Sequence, residues 1–221
     1  MSTAAIKKPR QTKAEKTRAA ILAAAENHFA RLGFAATRLE DIADELELTR
    51  AALFYYFKEK QMLYDAMIAD SFGKLANELM AVLDSEDKTI PQRIELAAIA
   101  YVNAITERPN LARLIMRFIA DGIEQPTQRI FSEDQQLPLK FLALYEEGIK
   151  SGVLKPQNND PFHTASALIG TSVFYVSALS ALLPQEQFQP LDPAQAKAHR
   201  EEVLITLRRQ LGIEQKAGLP A

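Results

Sequence analysis

The sequence predicts an all-α protein, and three observations carry that prediction. Apolar residues recur at three- and four-residue spacing through one long segment after another. No stretch sustains the two-residue alternation of a strand. The segments are punctuated by capping residues, glycines and prolines placed where helices start and stop.

Taken in order, residues 1–12 are polar and basic and read as a frayed arm. A first helix is expected from Lys13 to Leu32, with Ile21, Leu22, Ala25, Phe29 and Leu32 on its inner face and Gly33 stopping it. Thr37 with Glu40 has the spacing of a capping box and opens a second helix through Leu46, with Ile42, Ala43 and Leu46 turned inward. Thr49 is the next N-cap and starts a short helix through Tyr56. After Lys58-Glu59-Lys60, a longer amphipathic helix runs from Lys60 to Leu83 on a stripe of Leu63, Met67, Leu75, Leu79 and Val82.

The polar linker Asp84–Thr89 marks the clearest boundary of the rest of the chain. Helices follow at 90–107, 109–121 and 137–151, with Pro91 and Pro109 near their first turns and Gly122 and Gly152 beyond two of their ends. The polar, Gln-rich segment Gly122–Gln136 reads as a loop. An uncharged helix spans 161–183, and a last helix runs from Asp192-Pro193 to Leu211. Thr164, Ser166, Gly170, Thr171, Ser172, Ser177 and Ser180 make the uncharged helix a poor membrane span. A helix buried on two protein faces explains it better.

Composition narrows the function. The 221 residues are 48% hydrophobic and 24% charged, ordinary for a soluble globular chain. Cysteine is absent, which fits a reducing compartment. Residues 1–16 contain no apolar run of a secretory signal, so a cytoplasmic location is expected. The net charge of −2 hides an asymmetry. Residues 1–60 carry 11 Lys/Arg against 8 Asp/Glu, and the remainder 15 against 20. A basic head attracts phosphates, while an acidic body does not hold the protein to DNA at random. His28, His163 and His199 fall on three separate helices with no carboxylate or nucleophile at a catalytic spacing, and no metal-ligand cluster or glycine-rich phosphate loop is present. No enzyme, catalytic residue, metal or cofactor is expected.

The centre of the chain is TRLEDIADELELTRAALFYYFKEK, residues 37–60, two short helices around a tight turn. That is the pattern of a helix-turn-helix, whose second helix enters the DNA major groove. Around it stand Ile21, Ala24 and Ala25, then Phe29, Gly33-Phe34, Thr37, Asp41-Ile42-Ala43, Leu48-Thr49-Arg50, Leu53-Phe54-Tyr55-Tyr56-Phe57, Lys60 and Leu63. In this order and spacing the string resembles the tetracycline-repressor (TetR) family of bacterial transcription regulators. Three positions depart from its pattern. Glu47 stands where a turn glycine is usual, Ala51 replaces a second glycine, and Phe54 replaces a tyrosine, which shifts weight to Tyr55 and Tyr56.

The candidate DNA contacts are Thr37, Thr49, Arg50, Ala51, Ala52, Tyr55, Tyr56 and Lys60. Thr37 and Thr49 sit at helix N-termini that favour a phosphate. Arg50 suits guanine or phosphate, and the two alanines permit close approach to a thymine methyl. The resemblance makes Lys60 a phosphate anchor. Lys7, Lys8, Arg10, Lys13 and Lys16 form a basic arm that either adds salt-dependent affinity or only solubilises. Leu53 and Phe57 read as core.

Recognition of a palindromic operator on duplex DNA calls for a homodimer. Two apolar stripes on the uncharged helix supply candidates: Ala165, Leu168, Ser172, Tyr175, Leu179 and Leu182 on one, and Ile169, Val173, Val176 and Leu183 on the other. The first stripe, with Val203 and Leu207 of the last helix, is the expected interface. The resemblance further implies an internal pocket for a small, largely apolar effector that releases a repressor from DNA. Tyr101, Asn103, Phe118, Phe141, Tyr145 and Phe174 are its candidate walls, each equally readable as core. The expected organisation is therefore an arm at 1–12, a DNA-binding head at 13–59 and a ligand-binding and dimerisation body at 60–221. The alternatives are the same fold as a ligand carrier or scaffold without DNA binding, or an all-α enzyme.

Overall fold

A computed structural model describes residues 12–121, 136–184 and 186–213. Every regular element among them is helical: α1 Lys13–Ala36, α2 Leu39–Glu45, α3 Arg50–Tyr56, α4 Lys60–Leu83, α5 Ile90–Glu107, α6 Pro109–Asp121, α7 Leu137–Lys150, α8 Pro161–Val173, a π-helical turn Phe174–Ala178, α9 Leu179–Leu182 and α10 Pro193–Leu211. Lys7, Lys8 and Arg10 of the arm, and the expected loop up to residue 135, lie outside the described residues. No helix among those described is long and apolar enough to cross a membrane. The chain divides into two compact units, Met1–Asp70 and Ser71–Ala221, and the division falls inside α4.

In the first unit, α1 starts at a capping box. The Thr12 hydroxyl accepts from the Glu15 amide, and the Glu15 carboxylate accepts from the Thr12 amide. Ile21, Leu22, Ala25 and Phe29 are buried, as their spacing requires, against Ile42 and Ala43 of α2, Leu53 of α3 and Leu63 and Met67 of α4 within one small core. Phe29, Phe34 and Tyr64 close it with rings 5.0–6.0 Å apart.

Gly33 has φ 81° and ψ 173°, a conformation only glycine adopts easily, and it breaks the α-helical path three residues before the helix ends. Thr37 then ends α1 instead of opening α2. It is 1% exposed, and its hydroxyl donates to the Gly33 carbonyl at 2.7 Å. The expected Thr37–Glu40 capping box is therefore corrected: Arg38 occupies the N-cap of α2 without a side-chain cap, and Glu40 pairs with Arg50 at 3.3 Å.

The turn between α2 and α3 is a Schellman motif. The Leu48 amide donates to Ala43 O at 2.9 Å and the Glu47 amide to Asp44 O at 3.1 Å, with Glu47 at φ 54°. A left-handed residue with a Cβ costs about 1 kcal/mol over glycine here. Glu47→Gly is thus expected to stabilise the first unit by about 1 kcal/mol and Glu47→Ala to gain nothing, a contrast that denaturant unfolding followed by circular dichroism resolves.

In the second unit, Thr89 and Gln92 form a capping box at the start of α5, and Asp160 and Asp192 cap α8 and α10. Ile94, Ala98, Tyr145, Leu154, Leu207 and Leu211 form one buried cluster, and Ala76, Leu83, Leu137 and Leu144 another. Gly212 ends α10 at φ 61°, and a Cβ there would lie 2.1 Å from the Lys155 carbonyl oxygen. That close approach lets Lys155 N donate to Leu211 O at 2.8 Å and ties the loop after α7 to the end of α10. The uncharged helix expected at 161–183 is interrupted by the π-helical turn, which re-aims the side chains beyond Val173.

Candidate nucleic-acid interface and body cavity

Thr49 caps α3 by accepting from the Ala52 amide at 3.1 Å, and Leu53 anchors the helix in the core. With that side fixed, Arg50, Ala51 and Tyr55 project into solvent, the Tyr55 side being 82% exposed. An exposed tyrosine of that degree on a short helix has no packing reason to be there. Tyr56 is half-buried and meets the Tyr55 ring edge-to-face at 5.4 Å, while Ala52 is half-buried beside the cap. Phe54 takes a role of its own: the Arg50 guanidinium lies 5.2 Å from its ring centroid while also pairing with Glu40. The carboxylate and the ring hold the guanidinium on the exposed side of α3.

Two expected phosphate contacts are corrected. Thr37 is buried and its hydroxyl proton is spent on Gly33. The Lys60 ammonium donates to the carbonyls of Phe34, Ala35 and Thr37 at 2.8, 3.2 and 3.1 Å, and sits 4.6 Å from the Phe34 ring centroid. All three of its protons satisfy carbonyls at the end of α1, where the helix dipole also favours a cation, so none remains for a phosphate.

The three histidines lie on the three separate helices expected, α1, α8 and α10. His28 is buried and its Nε2 lies 2.8 Å from Glu45, and His163 pairs with Asp160 at the start of α8 at 2.8 Å. His199 Nε2 lies 3.2 Å from the Ser172 hydroxyl and its ring stacks on Tyr175 at 3.9 Å. Nucleophile and base atoms therefore do meet at Ser172 and His199, but both residues are buried in the second unit. Burial pushes the His199 imidazole below its ordinary value of 6.5. The unfolded chain then holds that proton more tightly than the folded one, so stability falls as pH drops below about 6.5. His199→Gln is expected to reduce the difference in melting temperature between about pH 5.5 and about pH 7.5.

The second unit contains a partly open cavity of about 400 Å³ lined by α4 to α8 and α10. Leu75 and Leu79 of α4, Ala98 of α5, Ile115 of α6, Phe141 of α7 and Leu168 of α8 are among its walls. Of the six expected wall residues, Tyr101 and Phe141 line it. The other four are corrected. Asn103 accepts a hydrogen bond from Arg200 at 2.8 Å, the Tyr145 hydroxyl donates to Asn158 O at 3.0 Å from within the core, Phe118 is half-buried off the cavity, and Phe174 points outward. The aliphatic walls were missed because a stripe such as Leu75 and Leu79 has the same period whether it faces side chains or a void.

The residues of the expected interface stripe fall in different surroundings. Ser172, Val203 and Leu207 are buried within this chain, Ala165 and Leu168 face the cavity, and Tyr175 is held by His199. Leu179 is half-buried, and Leu182 is 69% exposed. The exposed residues of α8 and the π-helical turn are Phe162, His163, Ser166, Ile169, Gly170, Thr171 and Phe174, of which Phe162 and Ile169 also border the cavity.

Residues 21–67, spanning the last part of α1 through α3 and the start of α4, match the family model described as bacterial regulatory proteins, tetR family. That segment of the chain is similar to the tetR family. Among its relatives, the HTH-type transcriptional regulator TtgR of Pseudomonas putida is 39% identical over 84 residues, 37% of this chain and 40% of that protein. The chain thus matches less than half the length of that relative. The HTH-type transcriptional regulator RutR of Escherichia coli (strain K12) is 29% identical over 163 residues, 71% of each chain. A likeness in fold extends over the body too. The ketosteroid transcriptional regulator KstR2 of Mycobacterium tuberculosis superposes with a TM-score of 0.70 at 20% identity, covering 93% of this chain and 98% of that one. A TetR family transcription regulator from Marinobacter aquaeolei VT8 gives 0.67 at 20% identity, over 87% and 96%.

Proposed function

We propose that this protein is a tetR-family, sequence-specific DNA-binding regulator that represses transcription as a homodimer and leaves its operator when a small, largely apolar molecule fills the body cavity. The observation that carries the reading is the exposed row Arg50, Ala51 and Tyr55 on a capped, core-anchored α3, which has the size and chemistry to read base edges in a major groove. Thr49, also exposed, lies at the same helix start, and Lys13 and Lys16 on α1 supply further positive charge. The outer surface of α8 is where a second subunit would pack, because Ile169 and Phe174 place apolar area in solvent there.

The cavity suits an effector because 400 Å³ of apolar space is within the range of small-molecule sites. An effector of this kind acts through its preference for one of two conformations, and coupling of about 1–3 kcal/mol gives about 5- to 150-fold release. The direct test selects duplexes from a random library with the purified protein and measures affinity by fluorescence anisotropy at several salt concentrations. Enrichment of a two-fold symmetric site whose affinity falls steeply with salt is expected. A library that yields no enriched sequence would remove the DNA reading and leave a ligand carrier.

A further inference from the structure

We infer that the molecule taken by the body cavity is uncharged as bound: a hydrocarbon framework carrying hydroxyl, carbonyl or ester groups, and not a carboxylate, a phosphate ester or an amine. The inference rests on the reading of this cavity as the effector site and names the ligand's chemical class.

Among the described residues that line the cavity, the side-chain heteroatoms are two hydroxyls, those of Tyr101 and Thr164. Every other wall residue is aliphatic, aromatic or proline. An ion entering such a space surrenders much of its hydration and meets no opposite charge among the described wall residues, a loss that contacts with the walls do not return. Glu95, Arg208 and Asp160, charged residues that adjoin wall residues in sequence, are committed elsewhere. Glu95, next to Ile94, takes both arms of Arg208, next to Leu207, at 3.0 and 2.7 Å. Asp160, before Pro161, accepts from the Phe162 amide at 2.9 Å and pairs with His163. The N-terminus of α8 is therefore already answered by a carboxylate and offers no anion site.

The polar end of the ligand also has a place. Tyr101 donates its hydroxyl proton to Ile169 O at 3.3 Å, and its oxygen can still accept a hydrogen bond from a ligand hydroxyl. Burial pushes this phenol above its ordinary value, which keeps it neutral. The place where an anion would have to go is the start of α7. There Leu137 and Pro138 reach the cavity and Gln136 supplies no side-chain cap, but Pro138 itself lacks an amide proton.

The test uses the full chain and matched probes at about pH 7.5, decanol against decanoate and decylammonium, and naphthol against naphthoate, by isothermal titration calorimetry. The uncharged member of a pair is expected to bind at least about 100-fold tighter than its charged partners. Ala98→Asp is expected to abolish binding of the uncharged probe, and its circular dichroism spectrum and DNA affinity report whether the chain remains folded. A carboxylate that binds as well as its alcohol overturns the inference and points to the α7 N-terminus, and binding by neither pair overturns it as well. The regulator reading is scored separately: an alcohol that binds in the cavity but leaves the affinity for selected duplex DNA unchanged supports the neutral-ligand inference and removes the effector role.

Discussion

Replacing both Arg50 and Tyr55 by alanine is expected to weaken binding to selected duplex DNA at least about 100-fold, since each base-edge contact supplies about 1–3 kcal/mol of discrimination. The loss should appear with little change in stability. The Arg50 side chain is 71% exposed, so its ion pair with Glu40 contributes less than about 1 kcal/mol. Tyr55 is more exposed still, and its main ring contact is Tyr56, itself at the surface edge of α3. A drop in affinity with an unchanged melting temperature thus isolates recognition from folding. The single variants separate two roles: Arg50→Ala should also reduce the dependence of affinity on salt if the guanidinium meets a phosphate, and should relax sequence preference if it meets guanine. Undiminished affinity of the double variant for its selected sequence would show that α3 is not the reading helix.

What the sequence disclosed and what it hid follow from the range over which each feature is determined. The cap of α3 is local: Thr49 and Ala52 are three residues apart, and the spacing alone announces the bond. The ends of α4, α5, α6 and α10 are legible for the same reason, through prolines, capping residues and a terminal glycine. Thr37 failed because the same Thr-x-x-Glu spacing competes with a second bond, to the Gly33 carbonyl, which exists only once Gly33 has turned to positive φ. Lys60 failed at longer range, since its three carbonyl partners lie 23 to 26 residues back and belong to a different helix. On α8 the period of apolar residues is clear, but a helix without charges gives no sign of which side is inner. The answer came from His199, 27 residues on, which draws Ser172 and Tyr175 toward α10. The cavity was least legible, because a void has no residues of its own and its walls carry the same stripes as a filled core.

Glu95→Ala, at a buried carboxylate of the second unit, is expected to cost about 3 kcal/mol. Nothing in the spacing of two residues 113 apart announces the pair, yet Arg208 meets Glu95 with Nε at 3.0 Å and Nη2 at 2.7 Å, and both side chains are largely shielded, at 22% and 10% exposure. Donating hydrogen bonds to the Glu95 carboxylate holds the Arg208 guanidinium above its ordinary value. Removing the carboxylate leaves a fixed cation with little water and no partner, whereas removing both charges need not. The double variant Glu95→Ala, Arg208→Met should therefore regain part of the melting temperature lost by the single one. At about 2–4 °C per kcal/mol for a chain of this size, the single variant should melt about 6–12 °C lower. The pair also joins α5 to α10, whose Ile94, Ala98 and Leu207 share the cavity wall, so its loss should weaken a cavity ligand even at temperatures where the variant is folded. A Glu95→Ala protein that melts and binds as the parent does would mean that water already solvates Arg208, and that the walls are held apart by the apolar clusters alone.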